Sequence, residues 1–139
     1  MSGSFVIDAS VAAKLHFLEE GSGRAAAFVE DADRLIAPDL LHIEVASIAA
    51  KKVRRAIASP DRARLAVSAT TQLLDATASL SDLAMRAFEL AAAHGFSAYD
   101  GAYLALAEME DIQVVTADRK LARRAAESRL SHLVHLLED

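Results

Sequence analysis

Four carboxylates stand at the margins of apolar segments, where unpaired acids are least expected. Asp8 closes Phe5-Val6-Ile7, and Glu44 interrupts Leu40-Leu41-His42-Ile43-Glu44-Val45-Ala46. Asp100 lies within Tyr99-Asp100-Gly101-Ala102-Tyr103-Leu104-Ala105-Leu106, and Asp118 follows Ile112-Gln113-Val114-Val115-Thr116. If folding brings the four together, their mutual repulsion demands a cation, and hard oxygen donors of this kind select Mg²⁺ or Mn²⁺. Such an ion polarises a phosphodiester and lowers the pKa of an attacking water, so the pattern points to metal-dependent phosphodiester hydrolysis.

Each acid also has a plain structural role. Asp8 and Asp118 follow strands and can serve as helix N-caps. Glu44 and Asp100 sit inside amphipathic helices, where capping does not explain them and a buried ion pair, with Lys14 as one available partner, would. The joint pattern favours a site, because two strand-end acids and two helix-borne acids can converge on one pocket. Ser10 and Thr116 stand close to Asp8 and Asp118 in sequence; they read either as capping and packing residues or as hydroxyls that orient a carboxylate. His16, His42, His94, His132 and His135 lack zinc-type spacing. No Gly-rich phosphate loop is present, which weakens an NTPase reading.

The elements that must position these acids follow from periodicity. Residues 4 to 8 form a short strand delivering Asp8 at its end, with Ser10 as the expected cap of the next helix. A helix through Ala25 to Glu30 leads to a buried strand at Leu35-Ile36-Ala37 stopped by Pro38, and Asp39 is placed to cap the helix after it. From Leu40 to about Ile57, Leu41, Val45, Ala49 and Val53 recur every fourth residue, with Leu40, Glu44 and Ile48 in the adjacent row. Further helices are expected from Ser59 to about Leu74, from Asp82 to His94, around Asp100, and from Arg119 to Ser128. Ala76 to Leu80, Ile112 to Thr116 and about Leu133 to Leu136 are the remaining strand candidates. Alternating short buried strands and helices predict an α/β fold, a mainly parallel sheet flanked by helices. Ligands gather outside the carboxyl ends of such strands, where Asp8 and Asp118 would lie.

At 139 residues and 53% hydrophobic content the chain reads as a single domain, 1–139. There are no cysteines, so thiolate zinc sites, disulfides and cysteine nucleophiles are excluded. No segment approaches a membrane span and no signal peptide is expected at Met1-Ser2-Gly3-Ser4, so a cytoplasmic protein without a membrane partner is anticipated. The net charge of −5 argues against a dedicated nucleic-acid coat protein, yet the bases are grouped. Lys51, Lys52 and Arg55 end the helix that carries Glu44, and Arg119 and Arg123 follow Asp118. Singly they are solvated helix faces; as a set they offer phosphate neutralisation and make RNA the expected substrate, with Tyr99 and Tyr103 the aromatic residues nearest the acids.

Taken in order, Val6-Ile7-Asp8-Ala9-Ser10-Val11, Leu41-His42-Ile43-Glu44-Val45-Ala46, Ala98-Tyr99-Asp100-Gly101-Ala102-Tyr103-Leu104-Ala105-Leu106-Ala107 and Val115-Thr116-Ala117-Asp118-Arg119-Lys120-Leu121 resemble the acidic motifs of PIN-domain proteins, in particular the VapC toxins of bacterial toxin–antitoxin pairs. The resemblance implies a three-layer PIN-like fold and a Mg²⁺- or Mn²⁺-dependent single-strand endoribonuclease. It also implies a homodimer and a VapB-like antitoxin that covers the active site. Asp8, Glu44, Asp100 and Asp118 match the family's acidic quartet, as catalytic and metal-binding residues. Ser47 departs from the Asn that often follows the Glu, and Gly101 after the third acid would loosen that helix start. The competing readings are a PIN-fold RNA-binding or protein-interaction module without turnover, and a phosphate-accepting receiver domain. The latter needs an acidic pair at the first strand, where this chain has Asp8-Ala9.

Overall fold

The computed structural model describes residues 3–138; positions 1, 2 and 139 of the expected 1–139 domain lie outside the described residues. Strands β1 (Ser4–Ile7), β2 (Arg34–Pro38), β3 (Ala76–Ala78), β4 (Gln113–Thr116) and β5 (Val134–Leu136) form one sheet in the order β3-β2-β1-β4-β5. All four neighbouring pairs are parallel, so the sheet is more uniform than the mainly parallel one expected. Phe5, Val6 and Ile7 are all buried, as are Leu35, Ile36 and Ala37, and Val114, Val115 and Thr116. Since successive strand residues point to opposite faces, both faces of the sheet are covered, which requires helices on each side.

The helices are α1 (Ala9–His16), α2 (Ser22–Asp31), α3 (Leu40–Arg54), α4 (Pro60–Leu73), α5 (Leu80–His94), α6 (Ala98–Glu110) and α7 (Arg119–Glu127). Several boundaries have local causes. Ser59 accepts a hydrogen bond from the Arg62 N–H while Pro60 occupies the first helical position, and Gly95 ends α5 at φ 75°. Two expected caps are corrected. Ser10 lies inside α1, because Asp8 is the cap and accepts from the Val11 N–H. Asp39 precedes α3 in helical geometry and makes no side-chain cap bond. Helix α5 begins at Leu80 rather than Asp82, which shortens the weak strand before it to three residues.

Two features of this frame position the site. The chain winds outward from β1 through β2 to β3, then returns to lay β4 and β5 on the other side of β1. The strand order therefore reverses between β1 and β4, the place where open parallel sheets leave a crevice at their carboxyl edge. Ile7 pairs in register with Val115, and the Asp8 N–H donates to the Val115 carbonyl at 3.3 Å. The second feature is the close approach of α5 to α6. A Cβ on Gly101 would stand 2.7 Å from the Ala87 carbonyl oxygen and 3.1 Å from its Cα, so the residue after Asp100 has to be a glycine for the two backbones to touch. Gly101 thus fixes the start of α6 against α5, contrary to the loosening expected of it.

Gly101→Ala should push α6 away from α5 and cost about 1–3 kcal/mol, in the range of overpacked cores. Chemical denaturation of the variant beside the native chain measures this, and an unchanged midpoint would show that the helices separate freely.

Candidate active site

Asp8 is the deepest of the four acids, only 7% exposed. Every donor that reaches it comes from the chain just beyond β1 or from the end of β4. Its Oδ1 accepts from the Ser10 hydroxyl at 2.6 Å and from the Val11 N–H at 3.2 Å, and its Oδ2 accepts from the Thr116 hydroxyl at 2.5 Å. The two hydroxyls are tied in turn to the chain beyond β4. Ser10 Oγ accepts from the Ala117 N–H at 2.9 Å, and Thr116 Oγ1 accepts from the Asp118 N–H at 3.0 Å. The capping and the orienting roles foreseen for these residues therefore coexist in one small network, with Thr116 fully buried.

Asp118 is the exposed member of the set. Its Oδ1 caps α7, accepting from the N–H groups of Lys120 at 2.9 Å and Leu121 at 3.4 Å. Among the described residues nothing hydrogen-bonds its other oxygen, which is left for a ligand or water. The capping duty thus fixes one oxygen and aims the second.

Glu44 and Asp100 come from α3 and α6. Glu44 accepts a 2.6 Å hydrogen bond from the Tyr103 hydroxyl through Oε1, and Oε2 has no protein donor among the described residues. Its anticipated partner Lys14 is elsewhere, 3.6 Å from Glu19 and donating to the Glu20 carbonyl. The ion-pair reading of Glu44 is corrected accordingly. Asp100 lies in the first turn of α6, where Ser97 caps the helix by accepting from the Asp100 N–H at 3.0 Å. A carboxylate there is favoured by the positive end of the helix.

Electrostatics join the four into a series. Burial pushes the Asp8 carboxyl up to about 6; Ser10, Thr116 and the Val11 N–H oppose the rise, and the charge of Asp118 adds to it. Burial also raises Asp100, with Asp118 adding to the rise, while Ser97 and the Arg124 guanidinium work against it. Glu44 is raised by burial, lowered by Tyr103 and raised again by Asp100. The Tyr103 hydroxyl is held far in its neutral, donating form by burial and by Glu44. Burial is the first cause in all three acids, and the acid–acid repulsion that adds to it is what a nearby cation would offset. Among the described residues none of the four forms an ion pair, and Arg124, hydrogen-bonded to the Gly95 carbonyl at 3.1 Å, is the cation that acts on Asp100.

The donor set is chemically right for a hard divalent ion, all carboxylate and hydroxyl oxygen. No three His, Asp and Glu side chains among the described residues stand close enough to enclose one, so the acids form a linked row rather than the tight cluster expected. Mg²⁺ keeps several waters and needs only one or two carboxylates, which suits a row of this kind. Asp8 and Asp118, at the strand ends, with Asp100 and Glu44 beside them, are the residues that would hold it.

The basic residues separate. Lys51 is exposed and borders a cleft with Glu44, seven residues before it on the same helical face. Arg119 borders a polar cavity with Lys14 and Ala117. Lys52, rotated by one residue from Lys51, is engaged by Glu19 at 2.9 Å and lies over the Phe17 ring, so it is not free to meet a phosphate. Arg55 and Arg123 are exposed and, among the described residues, form no ion pair with the acids. Two participants escape sequence reasoning in these roles. Tyr103 is legible as an aromatic near the site but not as the donor to Glu44, and Arg124 is one base among several until α7 is seen to face Gly95.

The family model described as PIN domain matches residues 5–127. The chain is 36% identical over 121 residues to ribonuclease VapC3 of Pyrobaculum aerophilum, a match covering 86% of this chain and 92% of that one. Among solved structures it is similar to PAE2754 of Pyrobaculum aerophilum, with a TM-score of 0.67 at 20% identity over 96% of this chain and 98% of the other. It is also similar to VapC20 of Mycobacterium tuberculosis, a toxin described as cleaving the sarcin-ricin loop, with a TM-score of 0.64 at 18% identity over 86% and 93%. Motifs, sheet order and relatives converge on one conclusion: the chain belongs to the PIN-domain family, among its VapC-type members.

Proposed function

We propose that this protein is an endoribonuclease of the VapC toxin type that hydrolyses RNA phosphodiester bonds with Mg²⁺ or Mn²⁺. The observation that carries the reading is Asp8: a buried carboxylate held by three donors, raised by burial and by Asp118, with no cation among the described residues to neutralise it. A divalent ion, when bound, offsets that charge, polarises the phosphodiester and makes an attacking water more acidic. The chain's own contributions are positional. Thr116 and Ser10 hold Asp8 in one orientation, the α7 cap holds Asp118 with one oxygen outward, and Tyr103 holds Glu44 with Oε2 outward to accept a proton from water. Lys51 and Arg119 offer positive charge on the approach to the acids. The work is assigned to the cytoplasm, where RNA is available; no helix among the described residues is long and apolar enough to cross a membrane.

A VapB-like antitoxin is the partner implied for the silent state, lying over the acids. A homodimer is supported by an apolar hollow of about 490 Å³ between α5 and α6, with Phe88 62% exposed at its rim. An exposed aromatic at such a rim suits a second copy of the chain. Phe88→Glu should then sediment as a monomer, and an unchanged mass would assign the dimer to another surface or remove it.

Purified chain free of partner should cleave RNA with Mg²⁺ or Mn²⁺, stop with EDTA, and stop when the cognate antitoxin is added. Asp8→Asn should retain the fold and lose activity by roughly a hundredfold or more. Undiminished cleavage in chelator, or native turnover by the Asn variant, contradicts the reading.

The same acid predicts an unusual response to pH. Its folded pKa of about 6 lies above the ordinary 3.8, so the folded chain holds an extra proton across that window. This stabilisation is present at low pH and is lost as pH rises through about 6, a change on the order of 3 kcal/mol, and Glu44 and Asp100 are shifted in the same direction. In EDTA, thermal melts should therefore show the native chain losing stability from about pH 4 to pH 7 relative to Asp8→Asn, and Mg²⁺ at pH 7 should restore it. Parallel pH curves for the two proteins would refute the burial argument.

A further inference from the structure

A cleft of about 360 Å³ opens beside Glu44, between α3 and the first turn of α6. Its volume falls in the range of small-ligand sites, about 300–1,000 Å³. Two large side chains at its border are strongly exposed, Tyr99 at 64% and Ile43 at 70%, and Tyr99 also lines the hollow between α5 and α6 given above to a second copy. Tyr99 immediately precedes Asp100, and Ile43 immediately precedes Glu44, which itself borders the cleft. The ring of Tyr99 has no aromatic neighbour and its hydroxyl no hydrogen-bond partner among the described residues. The chain has two tyrosines, and the other is committed: Tyr103 is 3% exposed and donates to Glu44. Lys51 completes the border, exposed and unpaired among the described residues, whereas Lys52 is tied to Glu19.

We propose that this cleft seats one unpaired nucleobase of the RNA strand, stacked on the Tyr99 ring and packed against Ile43, with Lys51 meeting the neighbouring phosphate. The inference rests on the ribonuclease reading and gives its substrate a direction. A base on Tyr99 would lie in the cleft that Glu44 and Lys51 border, so the strand would run along α3 beside the acids. An aromatic face accepts any base, and a stacked base has to be out of a duplex. The border carries few polar groups besides Tyr99, namely Glu44, Ser47 and Lys51, and Glu44 and Lys51 are given to the acids and to phosphate, so the cleft selects unpaired nucleotides more than sequence.

The test uses full-length chain carrying Asp8→Asn, which binds without cutting, and a single-stranded RNA oligonucleotide with 2-aminopurine at one position. Sliding that position along the oligonucleotide should locate one site where fluorescence is quenched by stacking on the protein. Tyr99→Ala should abolish that quench and weaken binding roughly tenfold to a hundredfold, and Tyr99→Phe should restore both. Lys51→Ala should leave the quench and reduce the salt slope of binding by about one. A quench that persists in Tyr99→Ala overturns the proposal. So does loss of binding in Tyr99→Ala accompanied by a change in sedimenting mass and not rescued by Phe, which would place the ring in a contact between copies. Circular dichroism melts of each variant exclude unfolding as the cause, and Ile43→Ala, farther from the helix contact, gives a second reading of the same pocket. If the chain with Asp8 intact cuts no RNA in Mg²⁺ or Mn²⁺, the ribonuclease reading fails. If it cuts and Tyr99 proves indifferent, the cleft alone fails.

Discussion

One buried carboxylate organises the centre of this molecule. Asp8 follows β1 directly, and its three donors come from the first turn of α1 and from the end of β4. A carboxylate at 7% exposure would be costly without them, and with them it joins the two strands between which the sheet order reverses. The same oxygens that satisfy the helix and the Thr116 hydroxyl remain negative, so the solution to the folding problem leaves an electrostatic one. The neighbouring charge of Asp118 makes that problem worse, and no lysine or arginine among the described residues pairs with Asp8 to relieve it.

The other two acids depend on a different contact. Gly101 lets α6 lie directly on the α5 backbone, and the Tyr103 hydroxyl then reaches across to Glu44 on α3. A phenol this deep in the core is acceptable only because its hydroxyl finds an acceptor. The hydrogen bond therefore serves both ends: it satisfies Tyr103 and fixes one oxygen of Glu44, leaving the second without a donor among the described residues. Asp8 and Asp118 are arranged on the strand side by capping, and Glu44 on the helix side by its bond to Tyr103, while both sides share one buried core.

How much of this is readable from residues depends on the range of the forces involved. The strands at Phe5-Val6-Ile7, Leu35-Ile36-Ala37 and Val114-Val115 are legible because burial on both faces leaves an uninterrupted apolar run. The four acids are legible because each breaks such a run. The exact caps are not: an Asp-Ala-Ser sequence contains two good capping residues, and the choice of Asp8 over Ser10 is made by Thr116 and Ala117, more than a hundred residues later in the chain. Gly101 is misjudged for a related reason, since helix propensity describes the residue alone whereas its value lies in the distance to Ala87. The basic residues are the least legible. Lys51 and Lys52 are indistinguishable in composition, and only the helical rotation that sends one toward Glu44 and the other toward Glu19 separates them.

That rotation also bears on why a chain with net charge −5 can engage a polyanion. Three of the four acids are buried or half-buried, so less of their charge is presented at the surface where the substrate would approach. A divalent ion would remove more of it. Lys51 and Arg119 stand outside this zone, exposed and without an ion pair among the described residues, while the acid-paired Lys52 and Lys14 are turned to internal use. Local sign at the site is thus set by which lysines the fold leaves free, and net charge reports mainly on the remainder of the surface. Since screening by salt weakens exposed charges far more than buried ones, the grip of Lys51 and Arg119 should vary with ionic strength while the demand of the buried Asp8 for a cation does not.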